Sequence, residues 1–374
     1  MTTVCIDCRY IGPRPSGIGE VVQGLVDFLP GLAPDLRFLL LRNPSAKRLS
    51  MAENAREIIV RQAANGPATL WWMSRCADLS GVDLFHAPFN IMPGRLSMPC
   101  VTTVHDIMWL SNPEWCASGM FAPVKRTFYT RGIDRALRYS AAIMTVSAAS
   151  RDAIAAWLPD AADRIAVTRS GVSPAFRPVA PDPTLLASLG LPAGKRFVLT
   201  VGQFAPYKNH EGALRAFAAA FADRDEIDIV LVQRMSRGTG RLLRLAQSLG
   251  ISGRVHLLGK IDREELVHLY SAALALLHPS LCEGFGNPLA EAMACGCPVV
   301  TSNCSAMPET TGGAAILVDP RNPLEIAGAL RRIAEDPGQA REMRERGLAR
   351  AAELSWRDFA RANLDVYRKT LARG

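Results

Sequence analysis

The chain is 374 residues long, with 49% hydrophobic and 21% charged residues. At roughly 100–200 residues per domain, this length predicts two globular domains with cores of their own, and it excludes a disordered tail, a collagen and a small disulfide scaffold. The formal net charge is +8, but residues 1–180 hold 19 basic and 14 acidic side chains and residues 181–374 hold 24 and 21. Because neither half is a concentrated basic module, we expect no nucleic-acid partner; a phosphate-bearing ligand or an anionic membrane surface fits the mild surplus.

The start of the chain carries no targeting pattern. Residues 1–10 have no basic residue before their apolar ones, and no later apolar run reaches the roughly 18–20 residues of a membrane span, which predicts a cytoplasmic protein. Nine cysteines is an odd number, and they are expected to be reduced thiols. Zinc at the pairs Cys5/Cys8 and Cys295/Cys297 is the alternative, but no second CxxC or histidine pair follows at a ligand spacing, so no metal site is expected.

The first half alternates short apolar runs with helical segments. The runs are residues 4–6, 36–41, 82–86, 100–105, 142–146 and 165–168. Between the first two runs, apolar residues from Ile18 to Leu29 recur at the i, i+3, i+4, i+7 spacing of a helix with one buried face. Strands alternating with helices predict a parallel sheet covered on both sides.

A proline-rich stretch over residues 174–192 interrupts this pattern and is interpreted as an interdomain linker. The alternation then restarts, with runs at residues 197–202, 229–232, 255–258, 273–277, 298–301 and 314–318. The predicted fold is α/β, with two doubly wound Rossmann-like domains, residues 1–178 and 179–355, facing across a cleft at the carboxyl ends of both sheets. A last helix, residues 356–374, is expected to bridge back to the first domain.

The strongest local motif spans residues 280–293, directly after a predicted strand. Gly284 and Gly286 let the backbone approach a ligand closely, and Pro288 suits the first position of a helix whose N-terminus favours phosphate. Glu283 lies in the loop and Glu291 lies one turn into the helix, so the two carboxylates can reach different parts of one nucleotide-sugar. The alternative is a plain glycine turn with solvated glutamates.

A second motif spans residues 202–209, after the first strand of the second domain. Gly202 ends the strand, and Lys208 and Asn209 open a helix. A lysine in this place is well positioned to balance a diphosphate. A solvated lysine at a helix start is the alternative.

The first domain carries two weaker motifs. His105 and Asp106 end a predicted strand, which favours a functional histidine over a satisfied core histidine. Gly17 and Gly19 belong to a turn over residues 13–20 that leads into the first helix. Because this turn lacks the last glycine of GxGxxG, a Rossmann dehydrogenase is disfavoured.

Residues 120–139 combine five basic side chains with interleaved apolar ones. The basic residues are Lys125, Arg126, Arg131, Arg135 and Arg138. A basic amphipathic helix can lie on an anionic bilayer, and a surface helix over the first domain's core has the same pattern. Both interpretations stay open.

Together these motifs resemble, along nearly the whole chain, the family-4 glycosyltransferases of the GT-B fold. The residues that carry the resemblance are the Gly17-Ile18-Gly19 turn, the His105-Asp106 pair, Gly202 followed by Lys208-Asn209, and the EGFG-x-P-x-x-E run from Glu283 to Glu291. The resemblance implies transfer of a sugar from a nucleoside diphosphate sugar to an acceptor hydroxyl, with retention at the anomeric carbon and without a metal or other cofactor. It makes residues 1–178 the acceptor side and residues 179–355 the donor-binding domain.

The resemblance also implies roles for single residues. Glu283 and the following amides would hold the donor sugar, Glu291 the ribose and Lys208 the departing diphosphate, with His105 beside the transferred sugar. The implied donor-binding set is Gly17, Gly19, Gly202, Lys208, Asn209, Glu283, Gly284, Phe285, Gly286, Asn287, Pro288 and Glu291. The implied catalytic residues are His105, Lys208 and Glu283, and Asp106 lies on the acceptor side.

One departure from the family concerns the second cation for the diphosphate. Many relatives place an arginine shortly before the lysine, where this chain has Gln203 and Tyr207, so Arg234, Arg237 or Arg254 are the candidates. The motif shapes resemble bacterial mannosyltransferases that use GDP-mannose for surface polysaccharide such as lipopolysaccharide.

This resemblance implies a glycan or lipid-linked acceptor and a protein peripheral to the inner membrane face. Asn287, where leucine or isoleucine is commoner, leaves the sugar open.

Other functions remain as alternatives. Within the same fold they are a UDP-sugar-dependent transferase and a UDP-N-acetylglucosamine epimerase. A periplasmic-type sugar-binding protein would need an export signal, and a nucleic-acid-binding module would need a clustered basic face.

Overall fold

The chain folds into two compact units. The computed structural model describes residues 1–12, 16–117, 119–233, 238–259 and 261–373. The first unit is Met1–Gly171 with Ser355–Gly374, and the second is Val172–Leu354. The proline-rich stretch that was interpreted as a linker therefore falls within the second unit, and the predicted boundary at 178/179 lies a few residues beyond the observed division.

The first unit is built on a parallel sheet. Its strands are β1 (Thr3–Ile6), β2 (Arg37–Arg42), β3 (Ala55–Ile59), β4 (Leu84–Ala87), β5 (Cys100–Thr103), β6 (Ala142–Thr145) and β7 (Ile165–Val167), in the order β3-β2-β1-β4-β5-β6-β7. Its helices up to the division are α1 (Gly17–Leu32), α2 (Pro67–Trp72), α3 (Met108–Ser111), α4 (Pro113–Cys116), α5 (Ala122–Tyr139) and α6 (Ala148–Trp157), with 3₁₀ turns at Cys8–Tyr10, Met73–Arg75 and Pro159–Arg164.

Successive residues of β1 explain why both faces of this sheet are covered. Val4 and Ile6 pack in one buried cluster with α1, whereas Cys5 packs in another cluster on the opposite face. Strand β3 was missed by the sequence analysis. Its sequence AREII is partly exposed and pairs with β2 alone, so it lacks the continuous apolar run that marked the other strands.

The second unit repeats the design. Its strands are β8 (Arg196–Val201), β9 (Ile227–Val232), β10 (Val255–Leu258), β11 (Ala275–His278), β12 (Val299–Ser302) and β13 (Ile316–Val318), all parallel, in the order β10-β9-β8-β11-β12-β13. Its helices are α7 (Pro183–Ser188), α8 (His210–Ala220), α9 (Thr239–Ser248), α10 (Arg263–Ala272), α11 (Asn287–Ala294), α12 (Met307–Thr311), α13 (Pro323–Glu335) and α14 (Pro337–Ala352), with 3₁₀ turns at Pro206–Lys208 and Ser252–Arg254.

The strand order of this unit changes direction between β8 and β11. Chain order runs outward from β8 to β9 and β10 on one side, and from β11 to β12 and β13 on the other. Loops that leave the carboxyl ends of two such strands diverge and open a crevice, which is where doubly wound sheets bind ligands. The two strongest sequence motifs follow β8 and β11.

The last helix, α15 (Trp356–Leu371), belongs to the first unit and packs on α1. Its Tyr367 hydroxyl lies 2.7 Å from Nδ1 of buried His86, whose Nε2 lies 2.8 Å from the Thr103 hydroxyl. This hydrogen-bonded chain joins α15 to β4 and β5. Within the described residues, no helix has both the length and the apolar character needed to cross a bilayer.

Helix α5 shows how its two sequence interpretations divide along one helix. Ile133, Ala136 and Leu137 are buried against the first unit's core, as in a surface helix. The opposite end is apolar and exposed, because Phe121 and Val124 are 66% and 67% accessible. The core-covering interpretation therefore holds for the second half of α5, and the first turns keep an unburied apolar surface.

Candidate active site

Lys208 and Glu283 meet at the crevice between β8 and β11. Lys208 Nζ lies 2.6 Å from Glu283 Oε1, and the two side chains are only 10% and 11% exposed. The two strongest motifs of the sequence, 75 residues apart in the chain, thus supply one ion pair. A cation and a carboxylate in one crevice can bind the two ends of a phosphorylated sugar.

Two residues with unusual backbone conformations place Lys208. Asn209 is left-handed (φ +53°), accepts from Gly212 N as the N-cap of α8, and donates through Nδ2 to the carbonyls of Pro279 and Pro320. Gly202 has φ +155°, and a Cβ there would lie 3.3 Å from the Lys208 stem. Asn209 therefore has a structural role in supporting Lys208, while its predicted contact with a donor stays a prediction.

His278 and Ser280 surround the Glu283 carboxylate from β11 and the following loop. His278 Nε2 lies 3.0 Å from Glu283 Oε1 and 3.1 Å from Ser280 Oγ. Burial alone would raise the pKa of Glu283, but Lys208 and His278 outweigh it and hold that pKa well below its ordinary value. Glu283 is therefore ionised at neutral pH and acts as a hydrogen-bond acceptor.

The backbone of Glu283 is held by Ser305, which follows β12. Glu283 N donates to Ser305 Oγ at 3.1 Å, and Ser305 Oγ lies 2.7 Å from the Glu283 carbonyl. Ser305 itself is left-handed, with φ +55°. Glu283, in the loop of the strongest motif, is thus held in place by hydrogen bonds to both its side chain and its backbone.

The glycine-rich loop leads directly into α11. Phe285 is buried, and its carbonyl accepts from Thr310 Oγ1 at 2.6 Å. Gly286 has φ +90° and no side chain caps the helix, whose first residues are Asn287 and Pro288. The first-turn N–H groups of α11 thus have no side-chain cap, and such N–H groups favour anionic groups.

Glu291 lies on α11, one turn beyond this start. Its Oε2 accepts from the hydroxyl of Tyr270, a fully buried residue of α10, at 2.9 Å. This bond fixes one oxygen of the carboxylate. Glu291 and Glu283 are therefore held by separate partners, and their predicted contacts with different parts of one nucleotide-sugar stay predictions.

Among the candidates for the second cation, Arg254 is engaged elsewhere. Its guanidinium donates to the carbonyls of Phe221 and Ile227 and lies over the ring of Phe217. These contacts give Arg254 a structural role, which argues against it as a phosphate ligand. Arg234 and Arg237 lie outside the described residues.

His105 and Asp106 of the first unit follow β5. His105 Nε2 lies 2.9 Å from the Pro88 carbonyl, and burial lowers the pKa of the ring. The backbone N–H of His105 donates to Asn90 Oδ1. Asp106 Oδ1 accepts from Met108 N at the start of α3. His105 is thus a neutral, oriented imidazole at neutral pH, and its predicted contact with the transferred sugar stays a prediction.

Gly17 and Gly19 form the first turn of α1. Ser16 is the N-cap, and its hydroxyl accepts from Gly19 N at 3.0 Å. A Cβ on Gly19 would lie 3.1 Å from the Tyr10 carbonyl, so this glycine permits a close backbone approach. Of the predicted turn, residues 13–15 lie outside the described residues.

Sequence reasoning missed several polar groups at these strand ends. Asp7 and Arg9 form a buried bidentate ion pair directly after β1. Gln233, buried after β9, has a side-chain amide with no hydrogen-bond partner in the described part of the chain. For Asp7 and Gln233, the available sequence signal was a charged or amide residue directly after a buried strand. For His278, it was a histidine at the end of an apolar run.

The cysteines are free thiols, and both pairs considered for zinc are buried. Over the described ranges, no group of three or more histidine, cysteine or acidic side chains is arranged to hold a metal.

Comparison with known proteins identifies the family of this chain. Residues 182–350 match the family model described as glycosyl transferases group 1. The chain is 31% identical over 300 residues to the O-antigen chain mannosyltransferase B of Escherichia coli, covering 76% of this chain and 74% of that one. It is 30% identical over 287 residues to the MMP alpha-(1→4)-mannosyltransferase of Mycolicibacterium hassiacum, covering 75% and 67%.

Solved structures share the fold over the full length. The sucrose-phosphate synthase of Thermosynechococcus elongatus aligns with a TM-score of 0.77 at 22% identity, covering 100% of both chains. Anabaena Alr3699/HepE in complex with UDP-glucose aligns with a TM-score of 0.71 at 20% identity, covering 99% of both. These likenesses confirm the predicted GT-B fold. The relative from Escherichia coli is 31% identical over 76% of this chain, and residues 182–350 match the family model. The two doubly wound sheets agree with this match. The chain therefore belongs to the group 1 glycosyltransferases.

Proposed function

We propose that this glycosyltransferase moves mannose from GDP-mannose to a hydroxyl of a glycan or lipid-linked glycan, with retention and without a metal ion. The observation that carries the proposal is the Lys208–Glu283 pair beside the start of α11. A diphosphate needs positive charge and N–H donors, and a sugar needs a fixed acceptor for its hydroxyl groups. Both are present within one crevice of the second unit.

The donor would bind in an orientation set by these groups. Lys208 Nζ and the first N–H groups of α11 would take the diphosphate, Glu283 would accept from the sugar hydroxyls, and Glu291 would accept from the ribose. As the bond to the sugar breaks, negative charge grows on the departing diphosphate. A preorganised cation and helix N-terminus stabilise that charge, and removing one such contact typically costs about 10²–10³ in turnover.

The choice of mannose rests on relatives, since both curated relatives above are mannosyltransferases. A solved structure of the same fold holds UDP-glucose. A UDP-sugar-dependent transferase is therefore the second candidate. An epimerase of the same fold would convert its UDP-sugar with no acceptor present.

We further propose that the protein docks on the anionic inner face of a membrane through the first turns of α5. Phe121 and Val124 are exposed there beside Lys125 and Arg126, a combination that suits the boundary between lipid headgroups and acyl chains. Trp71 lies against the neighbouring Phe128, with ring centroids 6.3 Å apart. The apolar surface thus continues from α5 onto α2.

The donor is tested by calorimetric titration and by transfer. We expect GDP and GDP-mannose to bind in the presence of EDTA and mannose to pass to a p-nitrophenyl α-mannoside acceptor. Glu283→Gln should lower turnover by about 10²-fold or more while the protein stays folded, because it removes the carboxylate charge and replaces one acceptor oxygen by an NH₂ group.

Binding of UDP-sugars alone would keep the enzyme class and replace the donor. Conversion of a UDP-sugar without acceptor would identify the epimerase. Turnover of Glu283→Gln at the wild-type rate would refute the site, and a strict need for magnesium would refute the metal-free step.

Membrane docking is tested by flotation with vesicles of phosphatidylcholine, with and without phosphatidylglycerol. We expect binding to the anionic vesicles that weakens with salt, and its loss in Phe121→Glu/Val124→Glu. Leu324→Glu is the matched control, since Leu324 is an equally exposed apolar residue of the second unit. Equal flotation of both variants would overturn the docking surface.

A further inference from the structure

The Lys208–Glu283 ion pair poses a problem for the proposed donor site. Without ligand, Lys208 Nζ is 2.6 Å from Glu283 Oε1, so each charge is satisfied by the other. A bound diphosphate offers Lys208 a doubly anionic partner in place of one carboxylate. Lys208 would then turn toward the phosphate, and Glu283 would lose its strongest contact at the moment when it must face the sugar.

His278 is the second group on the same carboxylate oxygen. Its Nε2 lies 3.0 Å from Glu283 Oε1, and the side chain is only 2% exposed. An ionised carboxylate can only accept, so Nε2 carries the proton and donates. Ser280, fully buried, lies 3.1 Å from the same nitrogen.

The backbone fixes this imidazole. His278 is the last residue of β11, where Leu277 and His278 pair with Val300 and Thr301 of β12. Its carbonyl accepts from Thr301 Oγ1 at 2.8 Å. The ring therefore belongs to the sheet and not to a loop, and it stays in place when the loop side chains exchange partners.

We propose that His278 is a positioning residue, which holds the Glu283 carboxylate toward the donor sugar after the diphosphate has drawn Lys208 away. The inference rests on the proposed function and deepens it, because it assigns to His278 a task in donor orientation that is separate from binding the nucleotide. GDP lacks the transferred sugar and therefore does not need Glu283 in place. A sugar nucleotide does.

The protonation state of the ring agrees with this role. Burial lowers the pKa of His278 more than its hydrogen bond to Glu283 raises it, and the Lys208 ammonium adds to the lowering. His210 is a further titratable neighbour of this cluster, and burial lowers its pKa to about 4. The ring of Tyr207 also lies near, 5.4 Å from Lys208 Nζ. At neutral pH, His278 is thus a neutral donor, which can hold a carboxylate without neutralising it.

The test compares His278→Leu, which removes the donor, with His278→Gln, whose side-chain amide can donate from nearly the same place. We expect His278→Leu to lower kcat/KM for the sugar nucleotide by about tenfold to hundredfold, because this is the usual contribution of a hydrogen bond to a charged group. Its Kd for GDP should stay within about twofold of wild type, and His278→Gln should recover most of the loss.

His256→Leu is the matched control. His256 Nε2 bonds to the carboxylate of Asp228 at 2.7 Å in the same unit, away from Lys208 and Glu283. We expect His256→Leu to lower the melting temperature with no change in kcat/KM. Parallel loss of GDP affinity and turnover in His278→Leu, or no loss of turnover, would overturn the proposal.

A second measurement needs no substrate. In Lys208→Met, the imidazole Nε2–H of His278 should remain visible by NMR as a downfield proton protected from exchange, because the bond to Glu283 persists without the lysine. Loss of that signal would overturn the proposal. If wild type bound no nucleotide while this signal persisted, the proposed function would fail and the positioning contact would stand.

Discussion

Three residues support the contact between Lys208 and Glu283, and each has a backbone conformation with positive φ that is uncommon outside glycine. Gly202 gives room to the lysine stem, Asn209 ends the turn that carries the lysine, and Ser305 clamps the glutamate backbone. A non-glycine residue in the left-handed region costs roughly 1–2 kcal/mol, so both Asn209 and Ser305 must be stabilised by the bonds they make. Two of the four non-glycine residues with positive φ in the described part of the chain thus lie beside this one ion pair, and the other two, Asn90 and Arg95, lie in the first unit.

Asn209→Ala is expected to lower the free energy of unfolding by about 2–3 kcal/mol, because it removes an N-cap, two hydrogen bonds and a side chain that tolerates the left-handed region. It should also weaken GDP binding, since Lys208 loses its support. Chemical denaturation and calorimetry measure the two effects. Asn322→Ala is the control, as Asn322 caps α13 through Glu325 N and should cost only about 1 kcal/mol with GDP binding unchanged.

A buried histidine makes stability depend on pH. Burial lowers the pKa of His86 from 6.5 to about 3, so below pH 6.5 the unfolded chain binds a proton that the folded chain does not. The free energy of unfolding should therefore fall as the pH drops from 6.5 toward 3, with a slope of up to about 1.4 kcal/mol per pH unit from this residue. Urea denaturation at pH 7.5, 6.0 and 5.0 measures it, and constant stability across this range would contradict the burial of a neutral ring.

At the scale of elements, the packing of α15 on α1 depends on a missing side chain. A Cβ at Gly24 of α1 would lie 2.6 Å from the ring of Trp356. The glycine costs helix stability, but it lets the indole lie against the backbone of α1. Gly171 allows a similarly close approach to the backbone at the start of α15, since a Cβ there would lie 2.3 Å from Trp356 N.

Gly24→Ala and Gly31→Ala are therefore expected to have opposite effects in the same helix. Gly24→Ala should lower the free energy of unfolding by about 1–3 kcal/mol through overpacking against Trp356. Gly31 has nothing within 4 Å of its added Cβ, so Gly31→Ala should raise it by about 0.5–1 kcal/mol. Thermal denaturation of both variants checks this, and stabilisation by both would show that α15 does not hold its position on α1.

At the scale of the molecule, the two units differ in how the chain builds them. The second unit is one continuous segment, whereas the first needs the chain to return with Ser355–Gly374. Phe359, Leu364 and Tyr367 of α15 belong to the same buried cluster as α1 and β1. The first unit is thus incomplete until the last residues of the chain are present.

Residues 172–354 expressed alone should fold cooperatively and bind GDP, because they contain their whole core and the Lys208–Glu283 site. Residues 1–171 alone should stay unfolded or aggregate, since they expose the apolar surface that α15 covers. Circular dichroism and proteolysis of both fragments test this, with a peptide of residues 355–374 added in trans as the rescue. A stable 1–171 fragment would contradict the role assigned to α15.

Much of this architecture is encoded locally. The alternation of strands and helices was predicted from the periodicity of apolar residues, and every predicted run overlaps a strand, although several begin or end up to two residues outside it. Lys208 and Glu283 were singled out because glycine and proline mark the loops that carry them. Local patterns could also indicate that α5 is amphipathic, though not which of its turns are buried.

The sequence by itself determined the fold class and the family, and it predicted the loops that carry the candidate site, because periodicity and turn residues act over a few neighbouring positions. Only the tertiary structure decided that Lys208 pairs with Glu283, that His278 shares that carboxylate, that Asp7 and Arg9 are buried together, and that β3 joins the first sheet. The Lys208–Glu283 pair and the place of β3 depend on strand order and on contacts between residues far apart in the chain. The pairs His278–Glu283 and Asp7–Arg9, five and two residues apart, depend on how their side chains pack in the folded unit. A single sequence marks such residues as polar groups at the ends of apolar runs, but it does not show which partners they meet, since the free energy of these contacts appears only when the sheets have formed.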